Sequence, residues 1–237
     1  MARLPRLVLP GQPHLLVQRT LDRRPLFVDE EDRASLTDAL RHALETEPAQ
    51  LHALALRERE LQFLVTPTEA DALARLMQAI GRRYVVAYNR RHGRRGPLWD
   101  GRFRACPVER GEHTLIAMAW VEQALQASDV TSAAHHSGGP RIPWITDPPE
   151  FWSLGNTPFE REGAWRERLA QGVSDAAATQ LRATVLGGWA FGSPTFIHHA
   201  GAGGRPATPR RPGRPRRTAP PACTAARFFR PASDFQP

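Results

Sequence analysis

Cysteine and lysine are scarce in this 237-residue sequence, which contains two cysteines and no lysine. Cys106 and Cys223 are far apart, and Cys223 lies in a segment rich in proline and arginine that cannot hold a fixed position relative to Cys106. The paired histidines at 135–136 and 198–199 lack partner ligands at zinc spacing. The sequence therefore supports neither a disulfide framework nor a zinc site.

Long apolar runs are also missing. No stretch approaches the roughly 20 consecutive apolar residues that a membrane span requires, and arginine and proline interrupt segment 1–14 before the apolar region of a signal peptide could form. The composition, 41% apolar and 24% charged, is typical of a globular protein, and the length accommodates one ordinary domain with appendages. We therefore expect a cytoplasmic protein that does not bind membranes.

The positive charge is unevenly distributed along the chain. All 32 basic residues are arginines, against 24 acidic residues. Residues 75–104 contain nine arginines and one acid, and 200–237 contain eight arginines and one acid, whereas 1–74 and 105–199 have more acids than arginines. A GC-rich genome explains arginine in place of lysine equally well, but it does not explain this clustering. Two basic segments in an acidic body are typical of a protein that lies along nucleic-acid phosphates, with a solvated charged surface as the alternative.

Hydrophobic periodicity in the first half of the chain predicts alternating strands and helices. Strand patterns cover 14–18, 51–56, 60–66 and 103–108, and helix patterns cover 29–45, 71–91 and 112–126. The order β-α-β-β-α-β-α is that of the ferredoxin-like split βαβ topology, in which helices lie on one face of an antiparallel sheet. The predicted fold class is therefore α+β.

The second half of the chain predicts a small helical unit and a tail. Thr157 to Glu160 has the capping-box pattern that begins a helix, and Ser174 is the expected cap of another. Proline alternates with arginine near the C-terminus, which favours a disordered basic tail. The predicted units are a ferredoxin-like domain, a connector with a helical extension, and the tail, at 1–128, 129–199 and 200–237 respectively.

Several short motifs occur in the order and at the spacing of a known family. They are Pro10-Gly11, Gln18-Arg19, Phe27 to Asp32, Leu73 to Gly93, Leu98 to Phe103, Leu154 to Pro158 and Gly187 to Gly192. Through these motifs, residues 3–199 resemble the REP-associated tyrosine transposases, which belong to the HUH superfamily of single-strand DNA nucleases. No single motif is decisive, but the ordered set is highly specific.

The resemblance implies a domain that binds single-stranded or hairpin DNA. In active members a tyrosine attacks the scissile phosphate and forms a covalent phosphotyrosine, while Mg²⁺ or Mn²⁺ polarises that phosphate. The resemblance further implies that the metal is held by two histidines of a His-x-His strand and by a helical side chain one turn after the tyrosine.

The sequence departs from the family at each of these catalytic positions. The His-x-His pair falls on Glu60 and Gln62, the tyrosine on Trp120, and the third metal ligand on Ala124. Because indole has no ionisable oxygen, Trp120 cannot form a phosphodiester. We therefore predict no catalytic residue, no metal and no cofactor, and a DNA-binding protein of the transposase family without nuclease activity.

Three alternatives stay open beside this prediction. Glu60 and Gln62 offer oxygens on one strand face that could hold Mg²⁺ weakly. Tyr84 and Tyr88 could act as nucleophiles in an active transposase with a rewired site, although their four-residue spacing is more typical of core packing. The chain could also be a decayed transposase remnant without function.

The basic segment 75–104 supplies the candidate contacts to DNA. We expect its arginines to bind phosphates, and the rings of Trp99 and Phe103 to stack on unpaired bases. The full set of candidates is Arg82, Arg83, Arg90, Arg91, Arg94, Arg95, Trp99, Arg102, Phe103 and Arg104. Core packing explains the two aromatic residues equally well, and ion pairs with the acidic body would account for a pair or two of the arginines.

Overall fold

The computed structural model describes residues 5–123, 126, 128–202 and 204–209. Its strands and helices, in chain order, are β1 (His14–Arg19), α1 (Glu30–Thr46), β2 (Ala49–Leu56), β3 (Glu60–Pro67), α2 (Ala72–Ile80), α3 (Val86–Arg91), β4 (Arg104–Pro107), α4 (Glu112–Glu122), β5 (Val130–Thr131), α5 (Ala133–His136), α6 (Pro149–Trp152), α7 (Pro158–Gln171), α8 (Asp175–Gly187) and α9 (Pro194–Gly201). Within these described ranges, no helix is both long enough and apolar enough to cross a membrane.

The five strands form one antiparallel sheet in the order β4-β1-β3-β2-β5. Leu16, at the centre of β1, pairs with Phe63 of β3 on one side and with Ala105 of β4 on the other. The first four strands have the order of the split βαβ topology, so the predicted ferredoxin-like α+β class is confirmed. The short strand β5 extends the sheet beyond β2, where the sequence predicted only a connector.

Each face of the sheet is covered by its own layer of helices. Alternate strand residues point to opposite faces, so Leu16 and Phe63 pack with α1 and α2 on what we call the first face. Leu15 and Leu64 pack with α4, α7 and α8 on the second face, where Trp165 of α7 is fully buried. The sequence predicted helices on one face only. The second layer forms because the extension helices cover apolar strand residues that would otherwise be exposed.

Side-chain caps fix where two of the helices begin. Asp29 accepts a hydrogen bond from the Asp32 N–H at 3.1 Å at the start of α1. The capping box predicted at α7 is present, because the Glu160 N–H donates to Thr157 Oγ1 at 3.2 Å and the Thr157 N–H donates to the Glu160 carboxylate at 3.0 Å. These local signals explain why both helix starts were predicted within one residue.

The amphipathic helix predicted over 71–91 is interrupted by a π turn at Gly81–Val85, which joins α2 to α3. Trp99 packs against this turn, and a Cβ on Gly81 would lie 3.4 Å from its indole Nε1. Tyr84 and Tyr88 are both buried on the first face. π turns insert one residue into a helix and often mark functional segments, which hydrophobic periodicity alone does not reveal.

The folded extension continues past residue 199. Leu7, Ala190, Ala200 and Ala207 form a small buried cluster, and the Ala190 N–H donates to the Ala207 carbonyl at 2.9 Å. Residues 200–202 and 204–209, which the sequence assigned to the tail, therefore pack against the body. Residues 210–237 lie outside the described residues. So does Ala124. Helix α4 ends at Glu122, earlier than the predicted end near residue 126.

Candidate nucleic-acid interface

The residues at the predicted catalytic positions line one cavity on the second face of the sheet, with a volume of about 1000 Å³. Glu60 and Gln62 of β3 lie two residues apart on the same strand face. Trp120 of α4 and Arg182 of α8 also line the cavity. The structure thus brings together three of the four residues that the resemblance aligned with catalytic positions, and the fourth, Ala124, is outside the described residues.

The carboxylate of Glu60 is fully engaged by protein groups. Arg182 donates to both of its oxygens, at 3.2 and 3.1 Å, and Arg19 donates to one of them at 3.1 Å. The Gln62 amide N–H donates to the other at 2.5 Å. Burial alone would raise the pKa of Glu60, but the hydrogen bonds and charges of these neighbours hold that pKa below its ordinary value.

The side-chain oxygen of Gln62 is also directed at a protein cation. Its side-chain carbonyl lies 3.4 Å from Nη2 of Arg57, a buried arginine that donates to the Gln123 carbonyl at 3.0 Å. Arg57 in addition forms an ion pair of 2.6 Å with Asp129. The Gln62 amide therefore bridges a carboxylate and a guanidinium.

The family's divalent metal does not fit this donor set. Mg²⁺ and Mn²⁺ need oxygen lone pairs at about 2.1 Å with open coordination positions. Here both Glu60 oxygens accept from guanidinium groups, and the Gln62 oxygen faces a third. Two guanidinium groups on the Glu60 carboxylate, with that of Arg57 on the neighbouring Gln62, also make the site electrostatically unfavourable for a cation. The weak magnesium site considered for Glu60 and Gln62 is not supported.

No tyrosine hydroxyl reaches this cavity from the described residues. Tyr84 and Tyr88 are buried on the first face, on the other side of the sheet, where their hydroxyls donate to the main-chain carbonyls of Leu26 and Pro25. Burial raises the pKa of Tyr84 well above its ordinary value. Trp120, half-buried among the second-face residues, offers only an N–H donor. Both tyrosines are core residues in this geometry.

Most of the candidate arginines lack an acidic partner. Within the described residues no ion pair is formed by Arg82, Arg90, Arg94, Arg95, Arg102 or Arg104. Five of the six side chains are exposed and Arg94 is half-buried, with its guanidinium 5.9 Å from the centre of the Tyr88 ring. We call these six residues the unpaired basic surface. It runs from the π turn along α3 and the following loop to the beginning of β4.

Two candidate arginines are neutralised instead. Arg91 contacts Asp29, Asp32 and Glu31 at the start of α1, at 2.6, 2.7 and 3.0 Å. Hydrogen bonds to Asp29 and Asp32 raise the pKa of Arg91. Arg83 lies 3.6 Å from Asp38. These contacts match the ion-pair alternative given above, and they leave Arg91 the least available of the candidates for phosphate.

The two candidate aromatic residues are largely packed into the first-face core. Phe103 is 7% exposed, and the guanidinium of Arg6 lies 3.6 Å from its ring centre. Trp99 is half-buried with its ring 6.5 Å from that of Tyr84. The geometry favours the core-packing alternative for Phe103, whereas part of Trp99 stays accessible beside the unpaired basic surface.

A buried polar cluster around His136 escaped the sequence analysis. His136 Nδ1 lies 2.7 Å from Glu122, and Nε2 of both His136 and His135 approaches Asp147, at 3.3 and 3.0 Å. The Ile142 N–H donates to His135 Nδ1 at 2.8 Å, so the proton of neutral His135 is on Nε2, the atom a metal would need. The histidines thus have acidic partners, which the sequence did not predict, but the arrangement is that of a hydrogen-bonded core.

The chain is thus a ferredoxin-like α+β protein with an arginine–carboxylate network at the predicted catalytic position and a separate unpaired basic surface. No protein-family model matches it, and no curated protein matches it. It is similar to the solved structure of a REP-associated tyrosine transposase bound to a REP hairpin, with 14% identity over 52% of this chain and 71% of that one and a TM-score of 0.44. It is also similar to a structure described as a putative transposase from Deinococcus radiodurans R1, with 23% identity over 46% of this chain and 88% of that one and a TM-score of 0.36.

Proposed function

We propose that this protein binds single-stranded or hairpin DNA, as a transposase-type domain that does not cut it. The observation that carries the proposal is the unpaired basic surface defined above. A protein seldom exposes several arginines without acidic partners unless a polyanion compensates them, and segments 1–74 and 105–199 of this chain are each net acidic. The ordered motifs shared with the REP-associated tyrosine transposases support the choice of DNA.

The geometry of this surface suits a nucleic-acid backbone better than a small anion. Its members lie on consecutive segments, α3, the loop after it and the start of β4, so the positive charge follows a path instead of filling one pocket. Half-buried Trp99 lies between Arg95 and Arg102 in the chain and offers partial access for stacking on an unpaired base.

The cavity on the second face supports the proposal that this protein does not cut DNA. Trp120 has no oxygen that could attack phosphorus, and Glu60 is held by Arg19 and Arg182. Tyr84 donates its hydroxyl to the main chain on the opposite face of the sheet. A rewired tyrosine transposase would need a tyrosine beside the cavity, and neither Tyr84 nor Tyr88 lines it. A decayed remnant is disfavoured by the two closed apolar layers.

Fluorescence anisotropy titrations with a hairpin, a linear single strand and a duplex test binding. We expect affinity for the first two at low salt, with a slope near −4 in log affinity against log salt, because each single-strand phosphate neutralised contributes about −0.7. Replacing Arg82 and Arg90 by glutamine should weaken binding at least about tenfold and flatten the slope by about 1.4.

The matched control removes two arginines that are already paired. Arg41 contacts Asp38 and Glu45, and Arg168 contacts Glu112, so both arginines already have acidic partners. The Arg41→Gln, Arg168→Gln variant loses the same charge and should bind within about twofold of the parent. Equal losses in both double variants, or a parent that ignores DNA at low salt, would refute the proposal.

Cleavage is tested separately on denaturing gels. The parent protein, incubated with hairpin DNA and Mg²⁺ or Mn²⁺, should yield neither shortened strands nor a covalent protein–DNA band. A covalent adduct mapped to Tyr84 or Tyr88 would establish the rewired transposase in place of the proposed function.

A further inference from the structure

A second cavity, of about 450 Å³, lies at the C-terminal end of α8. Four of the residues lining it are Arg6, Arg102, Arg104 and Arg205. Arg19, at its border, is already paired with Glu60. The carboxylate among the lining residues belongs to Asp100. Two of these arginines, Arg6 and Arg205, come from distant ends of the chain.

The packing of the chain ends places Arg6 and Arg205 at this cavity. Leu7 and Ala207 belong to one buried cluster with Ala190, and the Ala207 carbonyl accepts from the Ala190 N–H at 2.9 Å. Arg6 lies flat on the Phe103 ring, 3.6 Å from its centre, and donates twice to the Phe103 carbonyl at 3.3 Å. Both guanidinium groups are thus held by folded segments and are not loose surface side chains.

Arg205 has donors that the protein leaves unused. Its Nε and Nη1 atoms are buried and have no hydrogen-bond partner within the described residues. Its Nη2 lies against Gly188, where a Cβ would come within 3.1 Å of that atom. Buried N–H groups without acceptors are costly, and native structures normally satisfy them with protein, water or a ligand. A guanidinium with two such groups points to an anion.

The electrostatics of the cavity lead to the same conclusion. Burial, followed by the charges of Arg102 and Arg104, lowers the pKa of Arg6 to about 10, and burial also lowers the pKa of Arg205. The negative end of the α8 dipole favours a cation at this place, which explains one arginine here. The helix dipole does not explain four arginines at this cavity, and it does not explain why two donors of Arg205 have no acceptor within the described residues.

We propose that this cavity binds one phosphate group, held by Arg6 and Arg205 with Arg102 and Arg104 at its mouth. This inference rests on the proposed function, because a bound DNA strand would supply that phosphate. Phosphate suits the site better than a carboxylate because it carries more charge and accepts hydrogen bonds on several sides, whereas a carboxylate is satisfied by one guanidinium. Arg102 and Arg104 also belong to the unpaired basic surface, so a strand on that surface leads to the cavity.

The first experiment titrates the full chain with inorganic phosphate and with pyrophosphate at constant ionic strength, followed by two-dimensional NMR or calorimetry. We expect saturable binding by the parent and at least tenfold weaker binding by the Arg6→Gln, Arg205→Gln variant. The Arg41→Gln, Arg168→Gln variant loses the same charge and should bind like the parent. A parent that does not saturate, or a cavity variant that binds as well as the parent, would overturn the inference.

The second experiment identifies the source of the phosphate with DNA. The cavity variant should bind hairpin DNA about threefold to tenfold more weakly, with a salt slope flatter by about 0.7 for one lost phosphate. Arg82→Gln with Arg90→Gln should lose DNA affinity but keep phosphate binding. If the parent binds phosphate and not DNA, the DNA proposal fails and free phosphate is the ligand. If DNA binds to the cavity variant as tightly as to the parent, the cavity inference fails and the proposed DNA-binding function stands.

A conservative pair of variants guards against loss of fold. Arg205→Lys keeps the charge but replaces the unused guanidinium donors by one ammonium group. It should bind pyrophosphate several-fold more weakly than the parent while unfolding at the same temperature. Because Nε and Nη1 of Arg205 have no hydrogen-bond partner among the described residues, Arg205→Gln should also leave the thermal unfolding midpoint unchanged or higher. A large drop in that midpoint would assign Arg205 a structural role instead.

Discussion

Arg182 of α8 donates two hydrogen bonds to the Glu60 carboxylate of β3, at 3.2 and 3.1 Å, across 122 positions of sequence. Glu60 occupies the position where the resemblance places the first metal-binding histidine. The contact therefore does two things at once. It consumes the oxygens at the predicted metal position, and it ties the helical extension to the sheet. A catalytic cavity of this kind has to stay open to a strand of DNA, whereas this one is bridged by an ion pair.

The first prediction concerns the strength of that bridge. In a double-mutant cycle, Glu60→Gln and Arg182→Gln should couple by about 1 kcal/mol in the free energy of unfolding measured with urea. The value is modest because Arg182 is 45% exposed, which screens the interaction, although Glu60 is only 10% exposed.

The exposed pair of Arg168 and Glu112 is the matched control. It has the same two-bond geometry, at 2.6 and 3.0 Å, but its side chains are 28% and 59% exposed. Its coupling should be about 0.5 kcal/mol or less. Equal coupling energies for the two pairs would show that burial of the Glu60 carboxylate does not strengthen its ion pair with Arg182.

The second prediction concerns restoring the nucleophile. Trp120→Tyr places a phenol at the family's catalytic position, yet it should form no covalent adduct with hairpin DNA in Mg²⁺ or Mn²⁺. The reason is that Glu60 and Gln62 stay hydrogen-bonded to Arg182 and Arg57 and leave no open metal position. Trp120→Phe, with no hydroxyl, controls for the change in packing. A protein–DNA band that survives denaturation in the tyrosine variant alone would contradict the metal argument.

The third prediction concerns His14, which is completely buried in β1. Its Nδ1 lies 2.7 Å from the Gln12 carbonyl and its Nε2 accepts from the Leu9 N–H at 3.1 Å, an arrangement that only the neutral ring satisfies. Burial lowers the pKa of His14 to about 4. Long-range ¹⁵N NMR should therefore show a neutral ring from pH 8 down to about pH 5.

The lowered pKa also makes stability depend on pH. Between about pH 6.5 and 4 the unfolded chain binds the His14 proton more readily than the folded chain, so stability is complete above this window and falls as the pH decreases through it. The contribution of His14 to the slope should reach about 1.4 kcal/mol per pH unit. Urea unfolding of the parent and of His14→Gln at several pH values isolates this contribution. Identical slopes for both proteins would rule out the assignment.

Local sequence patterns were sufficient for strands β1 to β4 but not for β5, which lies in the predicted connector. The alternation in β2 and β3 and the apolar stripe of α2 and α3 are set by neighbours within a few residues, so the strand order could be inferred from the succession of elements. They were not sufficient for the second helical layer. Trp165 of α7 looks like any aromatic residue on an amphipathic helix, and its burial depends on contacts with His136, Phe151 and Glu122 from three other helices.

The same distinction applies to the candidate site. Glu60 and Gln62 could be placed together because i and i+2 share a strand face, and Trp120 followed from the motif register. The ion pairs of Glu60 with Arg19 and Arg182 could not be predicted, because the sequence around a surface arginine does not indicate which carboxylate it will contact in the fold. The His136 cluster was missed for a similar reason, since Glu122 and Asp147 approach it only after the connector folds back over β2.

The last prediction concerns Glu122, the buried carboxylate at the centre of that cluster. Its side chain is completely inaccessible, and it accepts hydrogen bonds from Trp165 Nε1 at 2.8 Å and from Ser132, while His136 Nδ1 lies 2.7 Å away. Burial opposes a charge on His136, but hydrogen bonds to Asp147 and Glu122 outweigh it and raise the pKa of His136. Glu122 thus joins α4, α5 and α7 through one side chain.

Replacing Glu122 by glutamine keeps the side-chain volume but replaces one acceptor oxygen by an N–H₂ group. That group then faces a neighbouring hydrogen-bond donor. We expect a loss of about 3 kcal/mol in the free energy of unfolding, because buried donors that now share the Glu122 carboxylate lose an acceptor. Glu112→Gln, on the exposed face of the same helix, should cost about 0.5 kcal/mol or less. NMR should also show that the pKa of His136 decreases in Glu122→Gln. If both variants were equally stable, the cluster would be a peripheral feature, and the docking of α7 would depend on apolar packing alone.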